Sequence, residues 1–143
     1  MTPAAADPRT AFARFVAAAE SGELDVICER HGVSVMSAFG SAIHPATLKP
    51  PDDLDIGVSF VDRLHGRRNR LLLWDDLVEL TGCEVIDLVM LDVDDPVLRS
   101  EALTGFGLYE NVRGAFAEAQ IAAVGERRDT AHLRQMNLEL MAQ

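Results

Sequence analysis

The chain has 143 residues, almost half of them hydrophobic and a quarter charged, a length and composition that suit one domain with a continuous core. Its 23 acidic residues against 13 lysines and arginines give a formal net charge of -10, which argues against a broad nucleic-acid surface, normally marked by a basic stripe. No apolar run reaches membrane-spanning length, and the N-terminus carries no apolar segment preceded by positive charge, so the cytoplasm is the expected location.

A single domain is expected over residues 1–143, with 1–8 unanchored and 110–143 forming a C-terminal helical segment. Apolar residues at Phe12, Phe15, Val16 and Ala19 predict a helix from Arg9 to about Glu20, and a second from Glu23 to His31 stopped by Gly32. Val33 to Phe39 is β-branched at its start and alternates, which predicts a strand, and residues 40–52 are rich in Gly and Pro, as a loop is. Leu54 to Phe60 predicts a second strand, with Leu54, Ile56, Val58 and Phe60 on one face. Arg67 to Leu80 reads as an amphipathic helix with Leu71, Trp74, Leu77 and Val78 inward. Cys83 to Leu91 is apolar apart from Glu84 and Asp87, as a buried strand would be. Asp95-Pro96 opens a helix that runs to about Thr104. Gly105 and Gly107 break it, and the chain from about Tyr109 onward is expected to be helical, split at Gly125. The order α-α-β-loop-β-α-β-α-α predicts a small α+β, α/β-like fold, a mixed sheet with flanking helices.

The chemistry concentrates in Phe39-Gly40-Ser41, followed after eleven residues by Asp53-Leu54-Asp55-Ile56. Residues two apart on a strand project to one face, so Asp53 and Asp55 point together, away from Leu54 and Ile56. Adjacent carboxylates repel one another, and a hard divalent cation relieves that repulsion. Asp87 stands in an apolar strand, where burying a lone ionised carboxylate would be costly; on a strand beside the first two, it completes a three-acid set that can hold Mg²⁺ or Mn²⁺. Gly40-Ser41 offers backbone N–H groups and a hydroxyl to phosphate oxygens.

The Phe39-Gly40-Ser41…Asp53-Leu54-Asp55-Ile56 pattern resembles the signature of the DNA polymerase β-like nucleotidyltransferase superfamily, and Val85-Ile-Asp-Leu-Val89 looks like its third-acid strand. Asp95-Pro-Val-Leu-Arg99…Gly105…Gly107-Leu-Tyr-Glu110 is similar to a segment of the minimal nucleotidyltransferases, which often act as antitoxins paired with HEPN toxins. The resemblance covers residues 33 to about 113. It implies that Gly40 and Ser41 hold nucleotide phosphates, that Asp53 and Asp55 bind Mg²⁺, and that Asp87 completes the metal site and helps deprotonate an acceptor hydroxyl. AMP would pass from ATP to a hydroxyl of a protein partner, a HEPN-type toxin. Two departures stand out: Ala42 replaces the arginine that many minimal members carry, and the loop with Pro45, Pro50 and Pro51 is longer than theirs. Lys49 or an arginine from 67–70 is the candidate substitute for that cation. The alternatives are a small-molecule, aminoglycoside-type transferase and a catalytically degenerate antitoxin that acts by binding alone; a homo-oligomer is compatible with either.

Other candidates have plainer readings. Asp92, Asp94 and Asp95 precede Pro96 and fit a helix cap better than a second metal site. Arg67, Arg68 and Arg70 fit the solvated start of a helix, with triphosphate binding as the competing role. Cys28 and Cys83 fit small buried hydrophobes, and His31, His44, His65 and His132 are scattered. Tyr109 fits a packing residue. The apolar stripe Leu133, Met136, Leu140 and Met141 would pack on the chain's own sheet or dock a partner.

Overall fold

The computed structural model describes residues 5–44, 49–92, 95–126 and Gln135. Asp7 caps α1 (Pro8–Ser21) by accepting the Thr10 N–H at 2.7 Å, and Pro8 occupies the first turn, where its missing N–H leaves no bond unmade. After α2 (Glu23–His31) come β1 (Val33–Phe39), a single 3₁₀ turn (Ser41–Ile43), β2 (Leu54–Phe60), α3 (Arg63–Thr81), β3 (Ile86–Met90), α4 (Pro96–Leu103) and β4 (Phe106–Glu110). The sheet order is β3-β2-β1-β4; β1 runs antiparallel to β2 and β4, and β2 runs parallel to β3.

The period of two along the strands sorts the apolar residues into two layers. On one face Met36, Leu54, Ile56 and Leu88 pack with Phe15, Leu24, Leu73 and Leu77 from α1, α2 and α3. On the other, Val35, Phe39 and Val89 pack with Leu103 of α4 and Ala123 of the helical residues 115–126. The sheet is therefore covered on both sides, as the near-continuous burial of β1 requires. Both cysteines are buried and free, as expected.

Three expectations are corrected. The sheet has four strands: Phe106 to Glu110 is β4, paired with β1, where helix was expected from about Tyr109. Gly105 is the reason the chain turns into a strand there. A Cβ on Gly105 would lie 2.2 Å from the Ala38 carbonyl oxygen, so only glycine lets the backbone approach β1 this closely. Helix resumes at 115–126 and includes Gly125, while the stripe Leu133, Met136, Leu140 and Met141 lies outside the described residues.

The second correction concerns α3, which starts at Arg63 rather than Arg67, with Asp62 accepting the Leu64 and His65 N–H groups at 3.0 and 3.2 Å. Its inward face is also rotated. Of the expected inward face, Leu77 is buried and Trp74 and Val78 pack against the core, but Leu71 is 68% exposed. The rotation brings Gly66, Leu73 and Thr81 into the buried face. The contact of Gly66 with Phe60 sets this phase, since a Cβ there would meet the Phe60 ring at 2.2 Å. Truncating Leu77 to Ala should cost about 2–5 kcal/mol in urea unfolding, and Leu71→Ala within about 0.5 kcal/mol. Equal costs would contradict the rotation.

Third, β3 is shorter than the apolar run: Cys83 lies outside it, its N–H donating to Thr81 Oγ1 at 3.2 Å.

Candidate active site

The sheet register builds the site. Phe39 of β1 is opposite Asp55 of β2, and Asp55 is opposite Asp87 of β3. Asp53 stands just before β2, two residues from Asp55 and on the same side. Each of the three acids offers a carboxylate oxygen, and these oxygens all lie within 4.8 Å of one another. The acids occupy the end of the sheet at which β1 runs out into Gly40.

Burial is distributed differently from the expectation. Asp53 and Asp55 are half-buried, whereas Asp87 is exposed although its strand neighbours are buried. The apolar run around Asp87 covers the opposite sheet face and the far end of the strand, so an acid fits there without being enclosed. Asp55 bears the electrostatic cost. Burial, then the charges of Asp53 and Asp87, push its carboxyl up to about 6 from an ordinary 3.8. Among the described residues no lysine, arginine or histidine pairs with any of the three. Three converging carboxylates without a protein cation are a donor set suited to a hard divalent ion.

Gly40 belongs to the same cluster. Its φ is +83°, and a Cβ on it would lie 2.3 Å from Asp55 Oδ2, so the Asp55 carboxylate rests against the bare Cα. Ser41 follows, exposed, and opens the 3₁₀ turn. Ala42, the residue after Gly40-Ser41, is 4% exposed and packs into the core. Lys49 pairs with Asp52 at 3.8 Å. Arg67, Arg68 and Arg70 line a groove that also contains Asp87.

A cavity of about 580 Å³ adjoins the turn on the β1 side, lined by Phe39, Gly40, Ile43, Thr104 and Phe106. Thr104 and Phe106 were not legible as residues that line this cavity, because the sequence pattern did not separate β4 from the helices around it. Phe106 is held edge-on to Phe12, with ring centroids 5.5 Å apart. Asp95 caps α4 through the Val97 N–H at 2.7 Å, as expected; Asp92 instead accepts the Phe60 N–H at 3.4 Å and pairs with Arg63 at 3.8 Å. His31 is tied to Asp76 at 2.5 Å, remote from the acids in sequence and role. Tyr109 packs against the core from β4.

The fold is shared with chains of solved toxin–antitoxin structures. It matches a chain of the MntA–HepT toxin–antitoxin complex with a TM-score of 0.61 at 17% identity, over 85% of this chain and 96% of that one. A toxin–antitoxin structure with AMP-PNP matches with a TM-score of 0.62 at 16% identity, over 85% and 98%. A third is the tri-AMPylated Shewanella oneidensis HEPN toxin in complex with MNT antitoxin, at 0.58 and 16%, over 85% and 95%. No protein-family model and no curated protein matches the chain. Among the described residues no helix is long and apolar enough to cross a membrane.

Proposed function

We propose that this chain is a metal-dependent nucleotidyltransferase that moves AMP from ATP to a hydroxyl of a protein partner, in the role of antitoxin to a HEPN-type toxin in the cytoplasm. The observation that carries the reading is the convergence of Asp53, Asp55 and Asp87 beside the Gly40-Ser41 turn. The structural neighbours support the nucleotide and the partner: one contains AMP-PNP, and another holds an AMPylated HEPN toxin with its antitoxin.

Asp53, Asp55 and Asp87 would hold Mg²⁺ or Mn²⁺. When bound, the cation offsets charge on the phosphates and on the departing pyrophosphate. Gly40 and Ser41 hold the phosphates through backbone N–H groups and the serine hydroxyl. The cavity behind Gly40 takes the base and ribose, with Phe39 and Phe106 as apolar walls. Asp87, exposed on the edge strand, faces an incoming acceptor and takes the proton of its hydroxyl. The hydroxyl oxygen bonds to the α-phosphorus, the bond from that phosphorus to the bridging oxygen breaks, and pyrophosphate leaves with the electron pair. Catalysis is then positioning plus charge neutralisation.

The experiment is incubation with Mg²⁺, a purified HEPN-type partner and ATP labelled at either the α- or the γ-phosphate. Label from the α position alone, together with AMP increments in the partner's intact mass, is the expected result. A second reading, an antitoxin that acts by binding alone, is favoured by one observation: the residue that follows Gly40-Ser41 is a buried alanine, which brings no cation of its own to the turn. Tight partner binding with no labelling would establish that reading, and labelling of an aminoglycoside rather than the partner would replace both.

A further inference from the structure

The groove beside Asp87 has a composition unlike the rest of this acidic molecule. Arg67, Arg70, Leu71 and Trp74 recur at i, i+3, i+4 and i+7 on α3 and so form one ridge, with Arg68 beside it. The ridge faces β3 across a groove of about 500 Å³ that reaches Asp87. Trp74 fixes the two walls together, its indole N–H donating to the Ile86 carbonyl at 3.0 Å, one residue before Asp87. No carboxylate among the described residues pairs with Arg67, Arg68 or Arg70. In a chain of net charge -10, with 23 acids, three unpaired guanidinium groups in one groove are a local reversal of sign. Leu71, 68% exposed, adds an apolar contact to the same wall.

The sheet order separates this groove from the nucleotide side. Gly40 leaves β1 on one flank of Asp55, whereas Asp87 and the groove lie on the other, over the edge of β3. Displacement at phosphorus places attacking and leaving oxygens on opposite sides. With the phosphates at Gly40-Ser41, the β3 side receives the acceptor. Resting on the nucleotidyl-transfer reading, we infer that the groove between α3 and β3 docks the acceptor segment, a stretch of protein with its hydroxyl flanked by carboxylates. Arg67, Arg68 and Arg70 then determine specificity, matching acidic side chains and presenting the hydroxyl to Asp87.

The test uses the full chain and two probes, a random Glu/Tyr copolymer and a Lys/Tyr copolymer, with binding read by fluorescence anisotropy at low salt. The combined Arg67→Gln, Arg68→Gln, Arg70→Gln variant keeps good helix formers at exposed positions and should remain folded. It should lose about tenfold in affinity for the Glu/Tyr copolymer, the sum of three exposed ion pairs. Binding of Mg²⁺-ATP should stay unchanged, and Lys/Tyr binding should not weaken. The single variants Arg67→Gln and Arg70→Gln should each show a smaller loss of the same sign, so the result does not rest on the triple variant folding. Unchanged Glu/Tyr affinity, or an equal loss for the Lys/Tyr copolymer, overturns the inference. So does a fall in Mg²⁺-ATP affinity with copolymer binding intact, which would assign the arginines to the nucleotide and leave the transfer reading standing. Failure of the wild-type chain to bind Mg²⁺-ATP at all removes the transfer reading, and the acceptor assignment falls with it.

Discussion

Mg²⁺ should raise the melting temperature of the wild-type chain, and replacing Asp53 and Asp55 together by Asn should abolish both that rise and nucleotidyl transfer. The two residues provide most of the half-buried charge in the cluster, and a cation that offsets it binds the native state in preference to the unfolded one. Loss of transfer should be about 10³-fold or more, the scale seen when charge stabilisation at a reacting centre is removed. Without metal the effect on stability should reverse. The variant should melt above the wild type near neutral pH, because two repelling carboxylates have become neutral amides of the same shape. Differential scanning fluorimetry with and without Mg²⁺ reads both effects. A Mg²⁺ shift that survives the double substitution would remove the acids from the metal site.

The same logic gives a pH dependence whose sign follows from Asp55. Its carboxyl is raised to about 6 in the folded chain, from an ordinary 3.8. The native state therefore holds this proton more tightly than the unfolded state does. The associated stability is fully present below pH 3.8 and is lost as pH rises through about 6. The metal-free wild type should thus lose more melting temperature between about pH 5 and pH 7 than Asp55→Asn does. Protons and metal compete for Asp55, so Mg²⁺ affinity should weaken as pH falls through the same interval. An identical pH slope in wild type and Asp55→Asn would place the raised carboxyl elsewhere.

The sequence made the site more legible than the sheet that carries it. The register partners Asp55 and Asp87, and the neighbouring Gly40, were readable because strand alternation and an acid among apolar residues leave few arrangements open. Burial was misjudged at Asp87 because a one-dimensional pattern does not distinguish the open end of an edge strand from its covered middle. β4 was hidden for a different reason. Gly105 and Gly107 look like helix breakers, but Gly105 is needed because the Ala38 carbonyl lies against it, a long-range contact with no local signature. The rotation of α3 has the same origin. Leu71, Leu72 and Leu73 are equivalent in the sequence, and only the contact between Gly66 and Phe60 selects Leu73 for the core. The same rotation leaves Leu71 outward, beside the arginines that line the groove next to Asp87.

Gly40→Ala should damage the site as severely as removal of a carboxylate, though it deletes no functional group. At φ +83° and ψ -167°, a region that essentially only glycine adopts, an alanine is strained by about 1–3 kcal/mol. Its Cβ would also lie 2.3 Å from Asp55 Oδ2, closer than the atoms can approach, and the carboxylate is the part free to move. Displacing it separates Asp55 from Asp53 and Asp87, so the Mg²⁺-dependent rise in melting temperature should shrink and Mg²⁺-ATP affinity should fall about tenfold or more. Two causes are combined in this variant, and a double-mutant cycle separates them. In an Asp55→Ala background no carboxylate is left to displace, and only the backbone strain remains. The stability cost of Gly40→Ala, measured by urea unfolding, should therefore be smaller in that background than in the wild type. Equal costs in the two backgrounds would show that Gly40 serves only its own turn and that its contact with Asp55 carries no energy. A smaller cost would identify this glycine as the residue that holds the Asp55 carboxylate within reach of the other two acids.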